Sequence, residues 1–251
     1  MKQRISILMT VLGITLSFSQ ENKGDNFSLE GTLAIFKNSN SIEEFEKSIN
    51  TKENDVNNLD LNNDDEIDYI IVEAIKENNS HIIILSIYLN DNTAQEIATI
   101  GIEKTDKEFA IIQIEGNEDL YVENTIIEPF EVIEEVDTSK KGPNSAVISP
   151  IRTIVNVWFW PCVRHIYHPN YIVWKSPYRW KNYPNYWKPW KPYKHTFFRD
   201  KCIKHHSHFH RTKTHRVVVL KNRHSKREIA SRSKNYKRKK TNTKRNTGRN
   251  H

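Results

Sequence analysis

The front half of the chain predicts an α+β fold on three observations. Two short apolar stripes at helical spacing come first, four strand-like runs follow, and the separators between those runs are short and rich in Asn, Asp and Gly. Such separators favour tight reversals, so consecutive strands should pair antiparallel, giving a meander of four to five strands behind two short helices. The back half has no comparable period. A Trp-, Tyr- and Pro-rich segment over 151–198 leads into a His-, Lys- and Arg-rich tail over 199–251, which is expected to be disordered.

Residues 1–19 have the layout of a secretory signal peptide. Lys2 and Arg4 precede an apolar run from Ile5 to Leu16, and Ser17-Phe18-Ser19 supplies the small residues of a cleavage site. The run falls short of the ~20 residues a membrane span needs, although an uncleaved N-terminal anchor is the alternative. The expectation is an exported protein, resident in the periplasm, on the outer-membrane surface or outside the cell.

Residues 20–136 are expected to form one acidic α+β domain. Ser28 suits the cap of a helix whose Leu29, Leu33 and Phe36 share a face. Ser41-Ile42-Glu43-Glu44 has the pattern of a capping box, with Ile42, Phe45 and Ile49 as the stripe behind it. The period then changes to that of strands in IDYIIVEAI (67–75), HIIILSIYL (81–89), EIATIGI (96–102) and FAIIQIE (109–115), and LYVENTIIE (120–128) is a candidate fifth. Residues 137–150 resemble a linker. Beyond it VRHIY and YIVWK flank His168-Pro169-Asn170, which predicts an aromatic hairpin, and proline every few residues then favours extended, polyproline-like chain.

Charge divides the chain more sharply than periodicity does. From Glu21 to Ser139 there are 29 acidic against 7 basic residues, a net of −22; from Lys140 to His251 there are 29 basic against 2 acidic, a net of +27, with ten of the eleven histidines. A cationic block of that size seeks a polyanion. Outside the cell the partners with that chemistry are anionic polysaccharide, lipopolysaccharide or a membrane surface, and nucleic acid enters only without export. The two blocks should also attract each other, within or between molecules. Cys162 and Cys202 both lie in the basic block, and the sequence is equally consistent with a disulfide between them, two free thiols or an intermolecular bridge.

Three groups of residues are candidate sites. Asp60, Asn62, Asp64, Glu66 and Asp68 place oxygen ligands at the alternate positions a hard cation such as Ca²⁺ prefers. This loop resembles the DxDxDGxxD calcium loops that enter a β-strand in FG-GAP repeats; the resemblance implies a Ca²⁺ site, and its departure is Asp65 where a glycine normally makes the turn. His206, His208 and His210 would project on one side of an extended chain, offering three imidazoles to a transition metal. Trp174, Trp180, Trp187 and Trp190, with Arg179 among them, could stack on sugar rings or settle at a membrane interface while the cations meet anionic groups, or the rings could bury one another against the domain.

Taken whole, the layout resembles a group of exported bacterial proteins with a signal peptide, an LDLNxDxxIDYI loop, a VWxWPxVRxxYxPxY…WxSPYRW segment and a basic tail. That resemblance implies the architecture and no activity. Neither GxSxG nor HExxH occurs. The sequence therefore predicts a non-enzymatic envelope protein whose basic aromatic arm binds an anionic polymer or head group, with periplasmic transition-metal binding through the His-rich tail as the alternative.

Overall fold

Ser28 and Ser41 start the fold as helix caps. Ser28 Oγ accepts from the Gly31 N–H at 3.0 Å and opens α1 (Leu29–Asn38); Ser41 Oγ accepts from the Glu44 N–H at 3.1 Å and opens α2 (Ile42–Ile49). The reciprocal bond of the capping box is displaced by one residue, because Glu44 Oε2 accepts from the Asn40 N–H and side-chain amide, both at 2.9 Å. The computed structural model describes residues 23–122, 125–137 and 147–226. The expected signal peptide, most of the expected linker and the last part of the basic tail lie outside the described residues.

The four strand-like runs become β1 (Ile70–Glu77), β2 (Ser80–Asn90), β3 (Thr93–Asp106) and β4 (Phe109–Gly116), paired antiparallel in sequence order. Two-residue reversals join them, and Asn78 at the first takes the left-handed conformation (φ 51°) that Asn tolerates. The fifth strand begins at Ile126, later than the 120–128 run, because Leu120 and Tyr121 turn back to the Asn117 carbonyl. This β5 (Ile126–Asp137) borders β4 through Ile126 and Ile127 and then pairs with β6 (Val147–Ile154), so residues 147–150 belong to a strand and not to a linker.

The alternation along each strand separates two faces. Ile70, Val72, Ile83, Leu85, Ile100, Ile102, Ile112 and Ile114 meet Leu33 and Phe36 of α1 and Phe45 and Ile49 of α2 in the main core. That core also takes Cys162, Val163 and Ile166 of α3 (Pro161–Ile166). The aromatic hairpin expected around His168-Pro169-Asn170 is therefore replaced on its first side by a helix. Pro161 stands at the first helical position, where its fixed φ helps and its missing N–H costs nothing.

The back half corrects the expected disorder from 199 to 226. It forms α4 (His195–Cys202), a 3₁₀ segment Ile203–His208, β7 (Phe209–Thr212) paired to β5, and a helix α5 over 218–226. Val217, Val219 and Leu220 bury against Ile82 on the second face of the sheet. Each such aliphatic contributes about 1.5–3 kcal/mol, which offsets ordering entropy that the tail could not meet alone. Gly101 makes that approach feasible: a Cβ there would stand 2.6 Å from Leu220 Cγ and 2.9 Å from Val217 Cγ1.

Charge complementarity assists the same docking. Among the described residues every ion pair within 4.0 Å joins a back-half cation to a front-half carboxylate. Lys175 pairs with Glu73, Lys201 and Lys204 with Asp55, Arg216 with Glu128, and Arg223 with Glu96. Histidines 195, 206, 210, 215 and 224 each approach an acidic partner of the front half as well.

Candidate functional site

The aromatic segment is a strap laid along the free edge of β1. The Ala74 N–H donates to the Trp174 carbonyl at 2.8 Å and the Ser176 N–H to the Val72 carbonyl at 3.0 Å, with Lys175 bridged to Glu73. The Ile67 N–H donates to the Trp190 carbonyl at 2.8 Å, so the strap reaches the 60–68 loop. A row of unpaired edge groups would otherwise template association with another chain, and the strap occupies it.

The rings turn inward. Trp187 is 7% exposed and packs edge-on to Tyr69 at 5.1 Å, while Tyr178 and Tyr183 take further sides of the Tyr69 ring, each at 5.6 Å. A ring that stacks on sugar or base needs an open face, and Trp187 has none. Trp174, Trp180 and Trp190 are half-buried. Of the expected ligand-binding set Arg179 alone is exposed, and its cationic neighbours Lys181, Lys188, Lys191 and Lys194 are exposed with it.

Beneath the strap sits Glu46, 1% exposed on α2. Its Oε1 accepts from Ser176 Oγ at 2.7 Å and Tyr69 Oη at 3.2 Å, and its Oε2 accepts from Trp174 Nε1 at 2.8 Å. Burial holds its pKa above the ordinary carboxylate value, against the opposing pull of the Ser176, Trp174 and Tyr69 donors. A cavity of about 400 Å³ opens beside it, lined by Ser41, Glu43, Glu44, Lys47, Trp174, Tyr178 and Tyr186. Glu46 fixes the strap to the helix; sequence reasoning passed over it, although its place between Ile42 and Ile49 on the apolar stripe was a readable signal.

The 60–68 loop uses its oxygens on its own backbone. Asp60 Oδ1 and Oδ2 accept from the Asp64 and Asp65 N–H groups at 3.2 and 3.0 Å. Asn62 Oδ1 and Asp64 Oδ1 accept from the Asp64 and Glu66 N–H groups at 2.9 and 3.0 Å. Asp65 takes a left-handed conformation (φ 64°), so the residue in the glycine position does adopt the turn glycine would have made. Asp68 is buried, accepting from the Leu61 N–H at 2.6 Å and the Asn62 amide at 2.9 Å. Burial, reinforced by the Asp60 and Asp64 charges and opposed by the Leu61 bond, pushes its pKa up to about 6. Glu66 is exposed.

The structure does not bring His206, His208 and His210 together. An extended chain would align them, but His206 and His208 lie in the 3₁₀ segment, where alternate residues diverge, and His210 lies on β7. His206 is 4.0 Å from Glu30, His210 is 3.4 Å from Glu128, and His208 is exposed. Of the three states left open for Cys162 and Cys202, the structure has two free thiols, both buried. Cys162 packs in the main core, whereas Cys202 Sγ donates to the Asp55 carbonyl at 3.2 Å, and burial pushes the Cys202 thiol up to about 12. Cys202 borders a cavity of about 450 Å³ whose lining mixes Asp25 and Glu30 with His195, Arg199, His206 and Arg211.

No family model matches this chain, and neither a curated protein nor a solved structure gives a match. Sequence reasoning also missed one group: Glu115 on β4, His215 and His224 bring three ligand atoms within 4.8 Å of one another. Residues 100 positions apart give no spacing signal, and only the docking of α5 on the sheet makes them neighbours.

Proposed function

We propose that this is an exported, non-enzymatic protein that binds an anionic surface polymer or head group through the cationic outer side of its strap and the tail beyond it. One observation carries the proposal. Arg179, Lys181, Lys188, Lys191 and Lys194 are exposed, and none has a carboxylate within 4.0 Å among the described residues, whereas Lys175, Lys201, Lys204, Arg216 and Arg223 are each paired to a front-half carboxylate. No acidic residue occurs from 138 to 199, so no neighbour in the sequence offsets the charge of these side chains. The inward rings make the strap a stiff presenter of charge and leave recognition to Coulombic contact.

Export rests on the N-terminal layout; among the described residues no helix is long and apolar enough to cross a membrane. The test is co-sedimentation of the full mature chain with phosphatidylglycerol vesicles and with lipopolysaccharide, over a salt series. Each cation near an anionic surface contributes about 1 kcal/mol, so Lys181→Glu/Lys188→Glu/Lys191→Glu should weaken binding by about 100-fold or more. Binding that ignores both salt and these substitutions would overturn the proposal. The same proposal keeps Ca²⁺ as a stabiliser of the 60–68 loop, supported by the convergence of Asp60, Asn62 and Asp64 on one turn; its check is a rise in melting temperature with millimolar Ca²⁺ that matched Mg²⁺ does not give.

A further inference from the structure

We infer that Glu115, His215 and His224 form a binding site for a divalent transition-metal ion of the zinc class, which clamps the C-terminal helix to the sheet. Glu115 Oε1 lies 3.0 Å from His215 Nε2 and 3.3 Å from His224 Nδ1. Ligands about 2.0–2.1 Å from a tetrahedral zinc ion stand about 3.3 Å from one another, so both Glu115–imidazole separations suit a coordination shell, and all three ligand atoms lie within 4.8 Å of one another. One carboxylate and two imidazoles are the donor set such ions take, with the fourth position left to the second carboxylate oxygen or to water. Glu115 is 5% exposed, and its Oε2 is buried without a hydrogen-bond partner, an acceptor of the cluster's own carboxylate that nothing satisfies.

The surroundings hold the ligands in place before any ion arrives. Gln113, two residues before Glu115 on the same face of β4, accepts from the Arg216 and Val217 N–H groups at 2.8 and 3.1 Å and donates to the Thr214 carbonyl at 2.9 Å. The backbone on both sides of His215 is thereby fixed by a side chain that is 1% exposed. His224 is placed by α5, which the Leu220 and Val217 contacts over Gly101 hold against the sheet. Arg216 and Arg223 flank the cluster, but their charges are engaged by Glu128 and Glu96. They therefore repel an incoming dication less than free guanidinium groups would. Orienting contacts of this kind commonly tune metal affinity by about 10–100-fold. The site is distinct from the His206, His208 and His210 set, which the fold separates.

The test is titration of the full chain with Zn²⁺ alone by calorimetry, in a His206→Asn/His208→Asn background that removes the exposed imidazoles of the 3₁₀ segment. We expect one ion per chain, a rise in melting temperature on binding, and at least a tenfold loss of affinity in Glu115→Gln and in His224→Asn. Glu115→Gln keeps the side-chain shape, so its circular dichroism should remain that of the parent. Should a variant fail to fold, Co²⁺ titration of the parent decides: visible bands of four-coordinate intensity support the site, and those of the aquated ion overturn it. Absence of one-to-one binding, or affinity unchanged in both folded variants, also overturns it and leaves a carboxylate hydrogen-bonded between two imidazoles.

Discussion

Glu46→Ala should release the strap, and the size of the effect can be worked from the bonds it breaks. The substitution strands the Trp174 N–H, which has no other partner, at about 1–3 kcal/mol for a buried donor. The other two donors have alternatives: Tyr69 Oη is 3.4 Å from Tyr186 Oη, and the Ser176 hydroxyl can rotate toward the adjoining cavity. Adding roughly 1 kcal/mol for those two and allowing water into the cavity gives a total cost of about 2–4 kcal/mol. Glu46→Gln should cost under ~1 kcal/mol, because its oxygen can accept from Trp174 while its amide donates to the Ser176 or Tyr69 hydroxyl oxygen. The two variants also differ in pH dependence. Folding raises the Glu46 pKa, so its stabilising contribution is full at low pH and is lost as pH rises through the folded value. Glu46→Gln removes that loss and should flatten the curve. Urea denaturation at several pH values gives the energies, and limited trypsin cleavage at Lys175 and Lys181 reports strap release. Equal costs for the two variants, or a strap equally resistant in both, would refute the latch.

The remaining expectations concern other parts of the fold. Asp68, at about 6 in the folded chain against 3.8 for the free side chain, loses stability as pH rises from about 4 to 6. The stability of wild type minus that of Asp68→Asn should therefore fall by up to about 3 kcal/mol across that window, measured by urea titration at fixed ionic strength. Gly101→Ala places a methyl into Leu220 and Val217 and should cost about 1–3 kcal/mol, with amide exchange in α5 accelerating first. Both buried thiols should resist iodoacetamide in the native protein and react fully in urea, and mobility on a gel should be the same with and without reductant.

The front of the molecule was legible because local chemistry decides it. Capping serines, stripes at helical spacing and strands between Asn-rich reversals state their conformation within a few residues, and β1 to β4 and both helices lie close to their expected positions. The back was misread for a different reason. A polycation with one short apolar run, Val217 to Leu220, has too little apolar surface to predict a fold of its own, and composition carries no more than that. Composition does not reveal that Ile82, Gly101 and Gln113 prepare a surface for it on a sheet more than a hundred residues earlier. The metal-ligand expectation for His206, His208 and His210 failed on an assumed extended backbone. Glu115, His215 and His224 had no local pattern at all. For the aromatic segment both orientations of the rings were open, and the buried acceptor that decides between them, Glu46, lies on a helix far upstream.

The covering of β1 by residues 174–176 and the addition of β7 from residues 209–212 have a consequence for biogenesis. A nascent chain stopped short of these positions would carry an open sheet rim and the uncovered Ile82 side. It could not mature progressively from its N-terminus, and premature stop codons should yield aggregates instead of a shorter working protein.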